Sequence, residues 1–272
     1  MELSKRAKRF VALAAAGLLA CCAFALAACG GGGQTSTNAN TNAGANASNE
    51  PATAPAANTN QAKETAMPTL TYLGHGSFRI TTAEGVVIYV DPFAGAGYDV
   101  PADLILVTHE HADHTRTDLM PHAAGCEILR AANFLPSPGN YTTLTSHGIT
   151  ITPVQAYNAN HNIDECVGLV LEFDGLRFYA AGDTSTTEDM TSGKLAAMNL
   201  DYATLPGDGF YNMGPEEASA CAELIGAKHY IPVHLVPVHF DASDQFFSQE
   251  VAEQFTAPGR LIVQPGETVN LQ

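Results

Sequence analysis

The amino-acid sequence predicts an α+β fold of two stacked mixed sheets with helices on their outer faces. Short apolar or alternating runs follow one another from Leu70 onward, split by Gly-containing turns, as strands do. A few helical patterns are mixed among them, which points to two sheets with the helices outside. In both halves the apolar runs end on polar residues, at Asp91, His109, Asp183 and His234, compatible with two similar halves stacked on each other.

Residues 70–73, 77–81 and 86–90 are the first expected strands, and the third runs into Asp91-Pro92. Residues 105–108 form the next, β-branched and apolar up to a burst of histidines. A helix is expected over 117–124, and a strand over 149–152. Residues 167–173 and 176–181 flank Asp174-Gly175, a two-residue hairpin turn signal, and the second strand leads into Gly182-Asp183-Thr184. Residues 202–205 lead into Pro206-Gly207-Asp208. Residues 215–226 read as an amphipathic helix, because Pro215 suits the first helical position and Glu216 and Glu217 favour the positive end of the helix dipole. Residues 229–233 form a last strand ending at His234, and no short-period repeat is visible.

The N-terminus carries Lys5, Arg6, Lys8 and Arg9, then an apolar run from Phe10 to Ala28. This is a charged region followed by a hydrophobic one, the form of a secretory signal. Leu26-Ala27-Ala28-Cys29 resembles a bacterial lipobox, with Leu18-Leu19-Ala20-Cys21 a weaker second match. An uncleaved spanning helix is the rival reading, since the run is barely long enough to cross a bilayer. Residues 1–28 are therefore expected to be a lipoprotein signal peptide and Cys29 the lipidated residue. Residues 29–67, rich in Gly, Asn, Ala, Thr and Pro, cannot bury enough surface to offset their ordering entropy and are expected to be a flexible stalk. The catalytic-sized domain is 68–272, tethered to a membrane outside the cytoplasm.

The chain holds 12 basic and 28 acidic residues, a formal charge of −16. Such a surface repels nucleic acid and anionic headgroups, so the expected partner is a small-molecule substrate. Outside the leader and Cys29, the cysteines are Cys126, Cys166 and Cys221. Their spacing matches neither a zinc knuckle nor a disulfide scaffold, and buried small apolar residues are the simplest reading, with one disulfide plus a free thiol as the rival.

The chemistry is concentrated in Thr108-His109-Glu110-His111-Ala112-Asp113-His114, an H-x-H-x-D-H pattern delivered from the end of a strand. Imidazole suits zinc and a carboxylate adds a hard, negative oxygen. One short loop can hardly wrap all four groups around one ion. Two ions sharing it is the easier geometry, with His109 and His111 on one and Asp113 and His114 on the other. Asp91, Asp183 and His234, each following a strand, join them if those ends converge.

Further pieces in order are Leu73-Gly74-His75-Gly76-Ser77-Phe78, Asp91-Pro92-Phe93, Ala156-Tyr157-Asn158 with His161, Gly182-Asp183-Thr184, Leu205-Pro206-Gly207, Met213 to Ala218 and Ile231-Pro232-Val233-His234. With the histidine cluster, they make the chain resemble the metallo-β-lactamase superfamily, in particular the branch containing ascorbate-6-phosphate lactonase. The resemblance implies a four-layer αββα sandwich. It also implies two divalent ions, Zn²⁺ by expectation with Mn²⁺ or iron as alternatives. By position, His109, His111 and His161 would bind one ion, Asp113, His114 and His234 the other, and Asp183 would bridge them. Asp91 would hydrogen-bond a ligand imidazole, and Asp113 and Asp183 would be the catalytic carboxylates. His239 is the rival of His234, and His75 is read as either a pocket-lining or a structural histidine.

Flavodiiron-type relatives place Glu where His111 stands, which favours zinc over redox iron here. The commonest zinc β-lactamases use Cys where Asp183 stands, which disfavours antibiotic hydrolysis. Two departures bear on substrate: Leu235 replaces a frequent Tyr, and the loop 207–213 differs from that of relatives. The expected activity is hydrolysis of a lactone, ester or phosphodiester by a metal-bridging hydroxide, since two ions can lower the pKa of water from about 16 to near 7. A non-catalytic metal- or ligand-binding lipoprotein is the alternative, and an iron-dependent oxidoreductase the third reading. No Gly-x-Ser-x-Gly elbow and no phosphate-binding loop competes.

Overall fold

The computed structural model describes residues 66–241 and 244–272, so the expectations for 1–28 and for nearly all of 29–67, including Cys29, lie outside the described residues. The first half supplies β1 (Thr69–Gly74), β2 (Ser77–Thr81), β3 (Val87–Val90), β4 (Ala102–Val107) and β5 (His122–Arg130), followed by a single helical turn, α1 (Ala131–Phe134). The second half supplies β6 (Leu144–Ser146), β7 (Ile149–Gln155), β8 (Val167–Phe173), β9 (Leu176–Ala180), α2 (Glu188–Thr191), β10 (Tyr202–Pro206), α3 (Pro215–Ile225), β11 (His229–Val233) and α4 (Gln249–Gln254). A last strand, β12 (Thr268–Asn270), returns to the first half. Two six-stranded mixed sheets result, ordered β12-β1-β2-β3-β4-β5 and β11-β10-β9-β8-β7-β6.

Strand periodicity explains how they stack. Leu70 and Tyr72, Phe78 and Ile80, Ile88 and Val90, and Leu104 and Leu106 alternate along β1 to β4 and enter one buried cluster. Val167, Leu169, Leu171, Phe173, Phe178 and Ala180 meet them from β8 and β9. Successive side chains of a strand point to opposite faces, so these residues line the space between the sheets. Each such side chain contributes roughly 1.5–3 kcal/mol on burial. The residues between them face outward. On the second sheet, Tyr179, Ala203 and Leu205 pack against Ala218, Cys221, Ala222 and Ile225 of α3 and Met190 of α2. Gly226, at φ 67, ends α3 in the left-handed conformation glycine adopts without strain.

The helix expected over 117–124 does not form. Residues 115–121 are turns, and His122 begins β5, which pairs parallel to β4. Pro121 stands inside the expected helix, and a residue before proline is pushed out of the α region. That residue, Met120, is buried with Leu73, Tyr89, Tyr98 and Ile105, so this part of the first sheet's outer face is covered by loop rather than helix.

Strand direction positions the site. β3 and β4 run parallel, and β1 runs with them because β2 is antiparallel to both β1 and β3. β9, β10 and β11 run parallel, and β7 runs with them through antiparallel β8. The residues that follow these seven strands lead to the site described next. Among the described residues no helix is long and apolar enough to cross a membrane.

Candidate metal centre

His75 follows β1, Asp91 follows β3, and Thr108 and His109 follow β4. His161 lies in the loop after β7, Asp183 beyond β9, Asp208 beyond β10 and His234 directly after β11. His75, Asp91 and His234 have φ of 55°, 46° and 47°. Three side-chain-bearing residues in the left-handed region at one site show that the packing holds these strand ends in conformations they would otherwise avoid.

The seven expected ligands come together. Donor atoms of His109, His111 and His161 lie within 4.8 Å of one another, as do those of His75, Asp113, His114 and His234, and those of His109, His114 and Asp183. The Asp183 carboxylate joins the groups: His161 and His234 Nε2 are both 3.3 Å from its Oδ2, and His114 Nε2 is 3.4 Å from its Oδ1. Nε2 of His109, His114, His161 and His234 is buried without a hydrogen-bond partner. Buried polar nitrogens left unpaired are costly, so four converging on one carboxylate require something to satisfy them. Two donors about 2.1 Å from one tetrahedral ion stand about 3.4 Å apart, the separation found here. The donor set thus fits zinc-type ions.

Each buried imidazole is held from its other nitrogen. His109 Nδ1 is 3.1 Å from Thr108 Oγ1, and His161 Nδ1 is 2.9 Å from Asn158 Oδ1. His234 Nδ1 is 3.0 Å from Asp208 Oδ2, and His114 Nδ1 is 3.2 Å from Asp91 Oδ2, both at ion-pair distance but off the angle of an ideal hydrogen bond. Oxygen on Nδ1 favours the tautomer whose Nε2 lone pair is free for a metal. Asp91 is fixed in turn, accepting from Thr108 N at 2.8 Å and Thr108 Oγ1 at 2.7 Å. Thr108 itself leaves no room opposite Gly182, where a Cβ would come within 2.9 Å of Oγ1 and the backbone sits at φ 63.

Asp208 has two tasks. Its Oδ1 accepts from the backbone N–H groups of Phe210, Tyr211 and Asn212 at 2.7, 2.6 and 3.3 Å, folding the loop, while Oδ2 faces His234 and accepts from Asn212 Nδ2 at 2.9 Å. Asn212 Nδ2 also donates to Asp183 Oδ2 at 3.0 Å, and its own Oδ1 accepts from Asn158 Nδ2 at 3.1 Å. Thr184 ties the same loops together, with Tyr157 N donating to its Oγ1 and Met213 N to its carbonyl. Sequence reasoning saw Asp208 at a strand end but gave it no role, and gave none to the side chains of Asn158 and Asn212. The repeated pattern of a polar residue after an apolar run was the available signal for Asp208.

Of the two departures singled out, Leu235 is buried and does not line the cavity beside the ligands, whereas Tyr211 does. Cys126, Cys166 and Cys221 are all free, so the disulfide alternative is not realised. His75 Nε2 donates to Asp113 Oδ2 at 3.0 Å and its ring centroid lies 3.6 Å from that of His234, tilted by 44°, so it belongs to the site. His239, like His122 and His147, is exposed and joins none of the donor groups.

Charge in the site is strongly coupled. Burial pulls His75 down to about 4, so at neutral pH it is uncharged and its Nε2–H donates to Asp113. Burial opposes ionisation of Asp113, but the hydrogen bond from His75 and the nearby His114 outweigh it and hold the carboxyl well below its usual range. Burial likewise opposes ionisation of Asp183, and His234 and His114 reverse the sign. Burial pulls His234 down, yet Asp183 and Asp208 raise it to about 9. A metal takes the neutral imidazole, so uptake at pH 7 must displace that proton. Apparent zinc affinity is expected to rise with pH as the protons held on His234 and His114 are lost. Calorimetry at pH 7 in buffers of different ionisation enthalpy should record proton release, and equal heats in all buffers would refute it.

A cavity of about 360 Å³, a usual size for small ligands, opens beside His111, Asp113, His161, Asp183 and His234. Its remaining wall is Ala112, Asn160, Tyr211, Val238 and Phe240.

Comparison with known proteins agrees with this geometry. A sequence profile of the beta-lactamase superfamily domain matches residues 69–234, a segment that contains all seven side chains. A metal-dependent hydrolase of Thermococcus kodakarensis is 30% identical over 226 residues, 74% of this chain and 98% of that protein. One of Methanoregula boonei is 34% identical over 221 residues, 74% of this chain and 97% of its own length. The crystal structure of a candidate metal-dependent hydrolase from Parabacteroides distasonis is 27% identical, with a TM-score of 0.56 over 72% of this chain and 94% of that one.

Proposed function

This chain belongs to the metallo-β-lactamase superfamily of metal-dependent hydrolases, and from that premise we propose that it is a binuclear zinc hydrolase of a small-molecule lactone, ester or phosphodiester. His109, His111 and His161 would hold one ion and Asp113, His114 and His234 the other, with Asp183 within reach of both sets. The observation that carries this reading is the set of four buried, unpaired Nε2 atoms, three of them 3.3–3.4 Å from the Asp183 carboxylate and the fourth, on His109, grouped with it. When bound, the ions supply a water of lowered pKa and a positive charge that polarises the substrate oxygen.

The chain's own residues supply the rest. Asp113, whose side chain is 16% exposed, is more open to the cavity than Asp183 at 5%. It accepts the proton of the attacking water and passes it to the leaving oxygen, which needs its carboxylate to be ionised beforehand. His75 keeps it oriented through the 3.0 Å hydrogen bond. Asp208, Asn158 and Asp91 hold the imidazoles so that little reorganisation is left for the reaction.

Metal analysis with a substrate panel tests this. Two zinc ions per chain are expected, with hydrolysis of at least one ester, lactone or phosphodiester that is abolished by a chelator and restored by zinc. Full zinc content without turnover on any of them would favour the non-catalytic metal-binding alternative. We further place the domain outside the cytoplasm on a lipid anchor at Cys29, supported by the basic leader, the apolar run and Leu26-Ala27-Ala28-Cys29. Palmitate labelling of cells should tag the chain and fail on Cys29→Ser; a tagged variant would refute the anchor.

A further inference from the structure

We propose that the substrate of this site is an uncharged carboxylic ester or lactone carrying an apolar arm, seated against Tyr211, Val238 and Phe240. The inference rests on the hydrolase reading above and narrows it.

The cavity wall beyond the expected ligands is mainly apolar. Ala112, Tyr211, Val238 and Phe240 line it, with Asn160 as the one amide. Among the described residues no lysine or arginine lines it. Nor is one held in reserve. Arg130, beside the ligand loop, is paired with Glu110 at 2.8 Å. The other six described basic residues are each bound to a carboxylate or to backbone carbonyls elsewhere. Recognition of a phosphate oxygen that is not on the metals calls for Arg, Lys or a cluster of N–H donors, and no basic side chain here provides it. The excess of acidic over basic residues in the chain adds long-range repulsion of anions.

The lip points the same way. Phe240 is 62% exposed and Phe210 is 66% exposed, the two most exposed large apolar side chains among the described residues. Phe240 is at φ 60, a conformation costly for an aromatic residue. It is anchored by an edge-to-face contact with Phe93 at 5.9 Å, and Phe93 packs in turn against Phe246 and His75. Phe210 packs edge-on against Tyr211 at 4.7 Å. Aromatic surface held out beside a polar centre is suited to cover the hydrocarbon part of a ligand. In the reaction, the water oxygen bonds to the acyl carbon and the acyl carbon–alkoxy oxygen bond breaks. The water proton travels by way of Asp113 to the departing oxygen, giving an acid and an alcohol, or one hydroxy acid from a lactone.

The test uses the zinc-loaded full chain with p-nitrophenyl octanoate, p-nitrophenyl acetate and bis(p-nitrophenyl) phosphate. The octanoate is expected to exceed the phosphodiester in kcat/KM by about 100-fold or more. Phe240→Ala should raise KM for the octanoate about tenfold more than it raises KM for the acetate, and Phe240→Leu should recover most of that difference. A phosphodiester turned over as well as the octanoate, or equal effects of Phe240→Ala on both esters, would overturn the inference while leaving a hydrolase. Binding of octanophenone, an inert ketone, to the metal-free chain supplies a second readout by saturation-transfer NMR. Binding that weakens about tenfold in Phe240→Ala supports the inference, and no binding overturns it. If none of the three esters is hydrolysed, the acyclic-ester and phosphodiester parts of the hydrolase reading fail, and the ketone result alone decides the apolar subsite.

Discussion

Asp183→Asn is expected to lower turnover by about 10³-fold or more and to bring zinc content below two ions per chain. That scale is the one lost when a buried charge contact to a transition state is removed. Asp183 is the group that contacts imidazoles of both expected triads, at 3.3 Å from His161 and His234 and 3.4 Å from His114. Asparagine keeps its shape, so the buried packing survives, but it carries no charge and can offer only one oxygen. Its amide nitrogen would be turned either toward an imidazole or toward the Nδ2 of Asn212, which now donates to Asp183. Circular dichroism should therefore be unchanged while metal content and rate fall. A variant with two zinc ions and more than a tenth of the normal rate would remove Asp183 from the role of bridge.

Asp208→Asn is expected to weaken zinc binding about 10- to 100-fold, the range seen when a partner of a metal-binding histidine is lost. The substitution is isosteric, but every direction around this carboxylate is already occupied by a donor. Three backbone N–H groups, those of 210–212, fix Oδ1 as an acceptor. The amide nitrogen must then occupy the Oδ2 position, against the Nδ2 of Asn212 and beside His234 Nδ1. A donor facing Nδ1 favours the opposite imidazole tautomer, whose Nε2 carries a proton and cannot bind metal. Asp208→Ala loses the loop contacts as well. Competition with a zinc chelator measures the first effect. Hydrogen exchange at the amides of 210–212 separates the variants: slow in Asp208→Asn, fast in Asp208→Ala. Normal zinc affinity in Asp208→Asn would show that Asp208 serves the loop and not His234.

These two carboxylates also mark where sequence reading succeeds and where it stops. Asp183 stands in a Gly-Asp-Thr segment after a strand, and its role was legible from residue type, position and resemblance. Asp208 occupies the same kind of position after β10, yet nothing local says that its carboxylate meets His234, 26 positions on. The network of Asn158 with Asn212, 54 positions apart, is equally silent in the sequence. His75 lies 38 positions from Asp113, and only the convergence of β1 with the ligand loop makes them neighbours.

By itself, the sequence determined the strand faces, the α3 helix with its proline start and glycine stop, and the H-x-H-x-D-H loop. Those properties reside in side-chain alternation, backbone preference and ligand chemistry over a few consecutive residues. Pro121 already marks a helix break in the sequence, and tertiary structure alone decided that the residues after it pair parallel to β4 as β5. It alone decided that β12 closes the first sheet, and which oxygen meets each Nδ1. Such contacts depend on where distant strand ends come to rest, and that placement follows from the packing of two whole sheets rather than from any local run of residues.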